Sequence, residues 1–338
     1  MDPRRRDIAG LLAHRRFSPA EALPWVAALA VYFLLPQYLP LGVQVLTMVL
    51  FALSLDILLG YTGIVTLGHA AYFGVGAYTA GILAVSGWNE PLSGLVLSAA
   101  AAALVGLATG AVILRTSGLT LLMLGMAVTL LLHETANHTG WITGGADGLQ
   151  GITIRPVLGV FEFDIFGNVA FLYVLAVLFA AWLFTRSLVH APFGRSLIGI
   201  RENPTRMAAV GVPVRKRKLI AFTIGAALAG LAGALSAQTN QFVALNVLTF
   251  ELSGTVLVVL VLGGAGRLYG AFVGAPLYFI AQDQLAKDDP VFWLFWLGLI
   301  LVAVVMFARG GILGLVDLLR QRLAKTGLLQ HLLRRRAT

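Results

Sequence analysis

Apolar segments recur along almost the whole chain and restrict its fold more than any other feature. Runs of about 18 or more apolar residues are long enough to cross the hydrocarbon core of a bilayer as α-helices. Of the 338 residues, 59% are hydrophobic and 12% are charged, and the mean hydropathy is +0.88. That composition leaves too little polar surface to cover a soluble domain. We therefore expect an all-α, polytopic membrane protein.

The apolar segments predict about ten transmembrane helices within residues 22–308. The predicted spans are 22–39, 41–59, one within 60–86, 92–114, 119–136, 168–185, 219–238, 251–266, 268–285 and 291–308. Segment 251–266 reaches only about 24 Å, which is less than the roughly 30 Å core, and forms a broken pair with 268–285. Glycine-interrupted segments in each half, Gly60–Gly81 and Gly263–Gly274, indicate discontinuous helices and an inverted repeat.

The basic residues define the orientation of the chain in the membrane. Of 24 Lys and Arg residues, 20 lie in residues 1–16, 186–218 and 309–338. Under the positive-inside rule, these segments face the cytoplasm. We therefore expect a basic N-terminal segment (1–21) and a basic C-terminal tail (309–338) inside, and loop 137–167 outside. The net charge of +9 is an orientation signal assisted by anionic membrane lipid, and we expect no nucleic-acid partner.

The loop 186–218 contains signals for a short helix. Asn203 can cap free backbone N–H groups, and Pro204 suits the first helical position. Gly211 followed by Pro213 ends the helix. The sequence thus predicts about two turns over 204–210, a rigid projection suited to docking on another protein. An ordinary cytoplasmic loop is the alternative.

Small residues form one stripe on each of two predicted spans, and such stripes let helix backbones approach closely in lipid. The stripes are Ala70, Gly74, Ala77 and Gly81, and Ala226, Gly230, Gly233 and Ala237.

Polar residues near the membrane ends offer few candidates for catalysis. His133, Glu134 and His138 nearly form an HExxH motif, but the histidines are five residues apart and point about 140° from one another on a helix. We therefore expect no metal site, and the absence of cysteine excludes thiolate ligands. Asp56, Glu134 and Glu251 are candidate functional acids, although their positions near span ends are also explained by hydration or capping.

Two further features bear on partners. The turn Thr143–Leu149 contains Asp147 and Gly148, and either contacts a soluble partner, gates an entrance or is a plain solvated turn. The chain has no Walker motif, and Gly263–Gly266 lacks the third glycine of GxGxxG because position 269 is Tyr. If ATP powers this protein, the ATPase is a separate chain, so we expect a transport subunit rather than an enzyme.

Several motifs in order resemble those of one family from about residue 45 to 315. The motifs are Gly60-Tyr61-Thr62-Gly63, Leu67-Gly68-His69-Ala70-Ala71, Gly76-Ala77-Tyr78, Thr143 to Leu149, Pro192-Phe193-Gly194-Arg195, Arg201-Glu202-Asn203-Pro204, Ala208-Ala209-x-Gly211, and Gly263-Gly264-x-Gly266 with Gly270. Together they resemble the LivM-type permeases of branched-chain amino acid ABC importers.

The resemblance implies a multi-pass protein of a bacterial inner membrane. Its implied partners are a homologous LivH-type permease, two cytoplasmic ATPase subunits that bind ATP and Mg, and a periplasmic substrate-binding protein, which Asp147 and Gly148 are expected to contact. No cofactor is expected in this chain. The implied ATPase-coupling residues are Arg195, Arg201, Glu202, Asn203, Pro204, Arg206 and Gly211. Glu202 is followed by Asn203-Pro204 rather than by the Ala-Ala of the usual E-A-A-x-x-x-G loop.

The hypothesis from the sequence is import of branched-chain or related amino acids by alternating access. Related permeases also serve other amino acids, urea and short amides. Polarity near a broken helix or a helix end selects Tyr61, His69, Tyr78 and Glu134 as pathway candidates. The alternative is an ion-gradient-driven secondary transporter of a small polar solute. An intramembrane hydrolase is a third possibility, against which the staggered histidines argue.

Overall fold

The computed structural model describes residues 19–157, 159, 161, 162, 164, 167–307 and 310–315. This part of the chain is helical, with two isolated β-bridges. The helices are α1 (Leu23–Leu34), α2 (Leu39–Asp56), α3 (Ala70–Val85), α4 (Pro91–Ile113), α5 (Leu119–His138), α6 (Asn168–His190), α7 (Pro192–Glu202), α8 (Pro204–Ala209), α9 (Val214–Asn240), α10 (Phe250–Gly263), α11 (Gly270–Asp288) and α12 (Trp293–Phe307). Most of the predicted basic termini lies outside the described residues.

The ten predicted spans each coincide with one of these helices, α7 and α8 being the two that lie between spans. Five helical segments are long and apolar enough to cross a membrane: Pro36–Tyr61, α4, α5, α6 and α9. The prediction of an all-α polytopic membrane protein is confirmed.

Helix α9 lies at the centre of the bundle and packs against α2, α3 and α4. A Cβ atom added at Gly76 of α3 would lie 2.0 Å from the carbonyl oxygen of Gly230, and one at Gly233 would lie 1.9 Å from that of Phe73. Only glycine fits such contacts, because helix backbones touch there directly. The predicted stripe on α9 is thus confirmed as a close-packing surface, and its partner on α3 includes Gly76.

Two helices are interrupted at the end of the bundle that carries the basic loop. Helix α2 continues into a π-helical turn, Ile57–Tyr61, and an irregular segment then leads to α3. Helix α10 ends at Gly263, and residues 264–269 form a loop before α11. Gly264 and Gly266 have φ angles of 113° and 80°, which L side chains rarely adopt. The discontinuous segments predicted in both halves are therefore present.

The basic loop contains one helix more than the sequence analysis predicted. Pro192 opens α7 at its first position, and α7 buries Leu197 and Ile200 against the bundle. The predicted short helix follows as α8, one residue shorter than expected.

Candidate functional site

The two helices of the basic loop form a supported projection. Helix α7 lies against α6, α9 and the π-helical turn. Between α7 and α8, the side-chain oxygen of Asn203 accepts a hydrogen bond from the backbone N–H of Arg206 at 2.9 Å, and Pro204 occupies the first turn. This is the predicted N-cap, and Gly211 follows the helix with a φ of 89°. Helix α8 therefore has a defined geometry although none of its residues is buried.

The residues assigned to ATPase coupling differ in what they contact. Arg195, Glu202, Pro204 and Arg206 are exposed on α7 and α8, where they are free to meet another protein. Arg201 is also exposed, but its guanidinium turns towards the bundle. Its guanidinium donates a hydrogen bond to the carbonyl oxygen of Gly60, 141 residues earlier in the chain. Helix α7 is thus tied directly to the π-helical turn.

Asp56 forms the second contact at this place. Its side chain is fully buried, and its Oδ1 atom accepts a hydrogen bond from the backbone N–H of Gly266 at 2.6 Å. The guanidinium of Arg201 is close enough to attract the carboxylate electrostatically. Asp56 therefore contacts a backbone N–H of the second half of the chain, as a capping residue does, and its side chain is not exposed to solvent.

Glycine is required where these groups meet. A Cβ atom at Gly60 would lie 2.1 Å from Asp56 Oδ1 and 2.4 Å from the backbone nitrogen of Gly266. We call Asp56, Gly60, Arg201 and Gly266 the Arg201 junction. It brings together α7 and the breaks in both halves of the protein.

The four pathway candidates lie in different environments. His69 is buried; its Nε2 is 2.8 Å from Ser54 Oγ, and its ring stacks on Phe51. Tyr61 and Tyr78 are also buried. Glu134 is exposed and pairs with His138 at 2.8 Å. None of these side chains lines either of the two polar cavities described next.

Two adjoining polar cavities open at the end of the bundle away from the basic loop. The deeper one has a volume of about 320 Å³ and the other about 250 Å³. They share Val43, Gln44, Thr239 and Asn240. The deeper cavity is lined by Val43, Gln44, Thr47, Met48, Phe73, Ser236, Thr239, Asn240, Asn246, Val247, Leu252 and Phe279. The shallower one is lined also by Pro40, Asp164, Gly167, Ala170 and Gln241. We call the pair the polar cleft.

Comparison with known proteins identifies the family. The family model described as branched-chain amino acid transport system / permease component matches residues 38–315. The chain belongs to this permease family.

Individual relatives agree with that assignment. The permease is 32% identical to the high-affinity branched-chain amino acid transport system permease protein LivM of Escherichia coli K12, covering 80% of this chain and 69% of the relative. It is 28% identical to a probable LivM of Methanocaldococcus jannaschii, over 69% and 77%. It is also 28% identical to the autoinducer 2 import system permease protein LsrC of Shigella flexneri, over 83% and 84%. No solved structure matches the chain. The permease is a LivM-type membrane subunit of an ABC transporter, a class of transport subunits that are not themselves enzymes.

The turn that carries Asp147 and Gly148 is tightly folded in the permease. Gly148 has a φ of 76°, and a Cβ atom there would lie 2.7 Å from the ring of Phe242. The next residue, Leu149, donates its backbone N–H to the carbonyl of Val243 at 2.7 Å. Asp147 is exposed at the surface of this turn. A carboxylate is therefore presented on a fixed backbone.

The sequence analysis missed the polar residues of the cleft. Gln44 and Thr47 are three residues apart on α2, and Ser236, Thr239 and Asn240 follow the same spacing on α9. Polar side chains at helical spacing within apolar spans were the available signal, because such residues face a partner or water rather than lipid. Sequence could not show that the two stripes face one another in the permease.

Proposed function

We propose that the permease is the membrane subunit of an ABC importer that moves branched-chain or related amino acids into the cytoplasm by alternating access. The observation that carries this proposal is the hydrogen bond from Arg201 to Gly60. It connects the helix pair α7–α8, of which α8 is exposed and capped by Asn203, with a break in a membrane helix. Such a connection suits a protein that is moved by a separate subunit.

The proposed stroke begins at α8, which projects into the cytoplasm and docks on one of two ATPase subunits that hold ATP and Mg. Because the buried residues Leu197 and Ile200 fix α7 to the bundle, a push on α8 passes to α7 and through Arg201 to the π-helical turn. Single π-helical turns interrupt helices at functional sites and offer less regular hydrogen bonding than an α-helix. The break is therefore the element expected to change between the two states.

The proposed orientation places both termini and α7–α8 in the cytoplasm of a cell with a bacterial inner membrane. A LivH-type second permease completes the membrane part, and a periplasmic binding protein meets the Asp147–Gly148 turn. The choice of amino acids over other solutes is supported by the description of the family that matches the chain and by 32% identity to the E. coli LivM relative.

The test is a double variant, Glu202→Ala with Arg206→Ala, in the permease purified and reconstituted with its native partners. Both side chains are exposed, and neither forms an ion pair within the described part of the chain. The variant should therefore insert and fold normally. We expect loss of ATPase-subunit association and of ATP-dependent uptake. A matched double variant on the outer loop, Arg155→Ala with Glu162→Ala, removes one base and one acid that are also exposed and should keep ATPase association.

Normal association and uptake in the Glu202/Arg206 variant would refute the assigned coupling surface. Uptake by this chain alone in liposomes, without ATP and dependent on Asp56 or Glu134, would instead identify an ion-gradient-driven carrier.

A further inference from the structure

The polar cleft places free amide groups opposite an apolar surface. The side chains of Gln44 and Asn246 make no hydrogen bond with the described part of the chain. Asn240 donates to Ser236 Oγ at 3.2 Å and keeps its carbonyl oxygen free. The hydroxyls of Thr47 and Thr239 are already used, since each donates to a backbone carbonyl of its own helix at 2.8 Å. The three amides of the deeper cavity are thus available to bind a solute, with the hydroxyl of Ser236 beside them.

Of the three amides, Gln44 lies furthest inside a helix, whereas Asn240 is the last residue of α9 and Asn246 lies between α9 and α10. At 1.5 Å per residue, Gln44 lies about 8 Å and Met48 about 14 Å along α2 from its first residue, Leu39. An amide at that depth is costly against hydrocarbon and is tolerated where it faces water, another subunit or a polar ligand. The cavity of about 320 Å³ beside these amides supplies such a space.

The apolar side of the cavity consists of Met48, Phe73 and Phe279, with Val43, Val247 and Leu252 beside them. Phe73 is also in ring contact with Phe51 at 4.7 Å, and Phe51 stacks on His69 at 5.3 Å between centroids. Phe73 therefore forms part of the apolar wall of the cavity and is backed by the buried rings of Phe51 and His69.

The charges around the cleft limit which solutes fit. No charged side chain lines the deeper cavity. Asp164 lines the shallower one, where its carboxylate accepts hydrogen bonds from the side chain of Asn168 at 2.6 Å and the backbone N–H of Val169 at 3.3 Å. In the deeper cavity, a solute with a net charge would lose hydration without gaining a counter-charge. Amides both donate and accept hydrogen bonds, so they can serve an ammonium group and a carboxylate together.

We propose that the polar cleft is a solute-binding site of the permease itself, in which Gln44, Asn240 and Asn246 hold the charged groups of a neutral zwitterion while Phe73 and Met48 contact its aliphatic side chain. This inference rests on the proposed import function and adds a selection step within the membrane subunit. The site accepts small zwitterions with an apolar end and rejects solutes of net charge.

The absence of cysteine from the chain allows a direct test. Single variants Gln44→Cys, Asn240→Cys and Asn246→Cys each introduce one thiol into the cleft. Gln37→Cys is the matched control, because Gln37 is an exposed amide at the same end of the bundle that lines neither cavity. The assembled importer in proteoliposomes is treated from outside with a membrane-impermeant methanethiosulfonate, and modification of this chain is followed by mass spectrometry.

We expect all four thiols to react and L-leucine to protect only the three in the cleft. At about four times the half-saturating leucine concentration, modification there should slow about fivefold. L-lysine, which carries a net charge, should give no protection. Leucine protection that is absent from all three positions, or equal protection by lysine, would overturn the proposal.

The outcomes separate the two proposals. Retained ATP-driven leucine uptake without protection in the cleft refutes the binding site and leaves the import function standing. Protection without ATP-driven uptake refutes the import function and supports the site.

A second measurement does not depend on thiol chemistry. Gln44→Leu should lower the rate of leucine uptake at saturating binding protein about tenfold, as expected when one hydrogen bond to a charged group is lost. Gln37→Leu should leave it unchanged. Equal rates in the two variants would argue against a solute contact at Gln44.

Discussion

The carboxylate of Asp56 accepts a hydrogen bond at 2.6 Å from the backbone N–H of Gly266, 210 residues further along the chain. Asp56 ends α2, and Gly266 lies in the loop between α10 and α11. Arg201 of α7 contacts the same region, because its guanidinium donates a hydrogen bond to the carbonyl oxygen of Gly60. Two backbone groups left free by broken helices are thus satisfied by side chains from distant parts of the permease. A movement of α7, of the π-helical turn or of the loop between α10 and α11 should therefore change the contacts of the other two.

Removal of the Asp56 side chain should destabilise the permease. In Asp56→Ala the partly buried N–H of Gly266 loses its acceptor, which costs about 1–3 kcal/mol. Asp56→Asn keeps an oxygen at the same position and should lose less. Thermal unfolding of the purified permease in detergent measures the difference. A midpoint for the alanine variant equal to that of the asparagine variant would show that this hydrogen bond contributes nothing.

Arg201 should transmit the ATPase stroke without being needed for ATPase docking. In Arg201→Gln the side chain is shorter and uncharged, so both the bond to Gly60 and the attraction to Asp56 are weakened. We expect the ATPase subunits to remain bound while uptake falls about tenfold, the change for ~1.4 kcal/mol. The number of ATP molecules hydrolysed per solute molecule taken up should therefore rise.

The control for Arg201 is Lys216→Gln. Lys216 is an exposed cation of the same basic loop, in the first turn of α9. The ratio of ATP hydrolysed to solute transported should stay at the wild-type value in this variant. An unchanged ratio in Arg201→Gln as well would remove Arg201 from the transmission path.

The size limit at Gly60 gives a sharper steric prediction. In Gly60→Ala the new methyl group would meet Asp56 Oδ1 at 2.1 Å and the nitrogen of Gly266 at 2.4 Å. Backbone atoms cannot move aside cheaply, so the Asp56–Gly266 bond should break and stability should fall by about 1–3 kcal/mol. Gly254→Ala is the control, since a Cβ atom there meets nothing within 4 Å. Equal unfolding midpoints for the two variants would contradict the close contact.

The sequence predicted the fold because hydropathy alone determines where membrane helices lie. Each of the ten spans follows from local composition, and α8 follows from a local cap, Asn203-Pro204. Helix α7 was missed, although Pro192 and the buried pair Leu197 and Ile200 were visible in the sequence. The helix is amphipathic, but the basic residues around it favoured its interpretation as part of a loop.

The Arg201 junction and the polar cleft could not be predicted in the same way. Asp56 was identified as a candidate functional acid, but its partner is a backbone N–H, which has no sequence signature. Gln44 and Asn240 lie on helices almost 200 residues apart, and only the packing of α9 against α2 brings them to one cavity. Contacts between distant segments depend on helix rotation and depth, which hydropathy does not determine.

The cap of α8 should be required for coupling ATP hydrolysis to transport, because it fixes the helix that we propose docks on the ATPase. In Asn203→Ala the N–H of Arg206 loses its acceptor, a change that costs a helix about 1 kcal/mol. Since α8 has six residues and buries none of them, it has little packing to offset that loss. Hydrogen exchange of residues 204–209 should therefore rise about fivefold, and ATPase association should weaken, while the unfolding midpoint of the whole permease stays unchanged. Asn203→Asp retains a capping oxygen and should restore both properties. Slow exchange in the alanine variant would show that docking geometry does not depend on this cap.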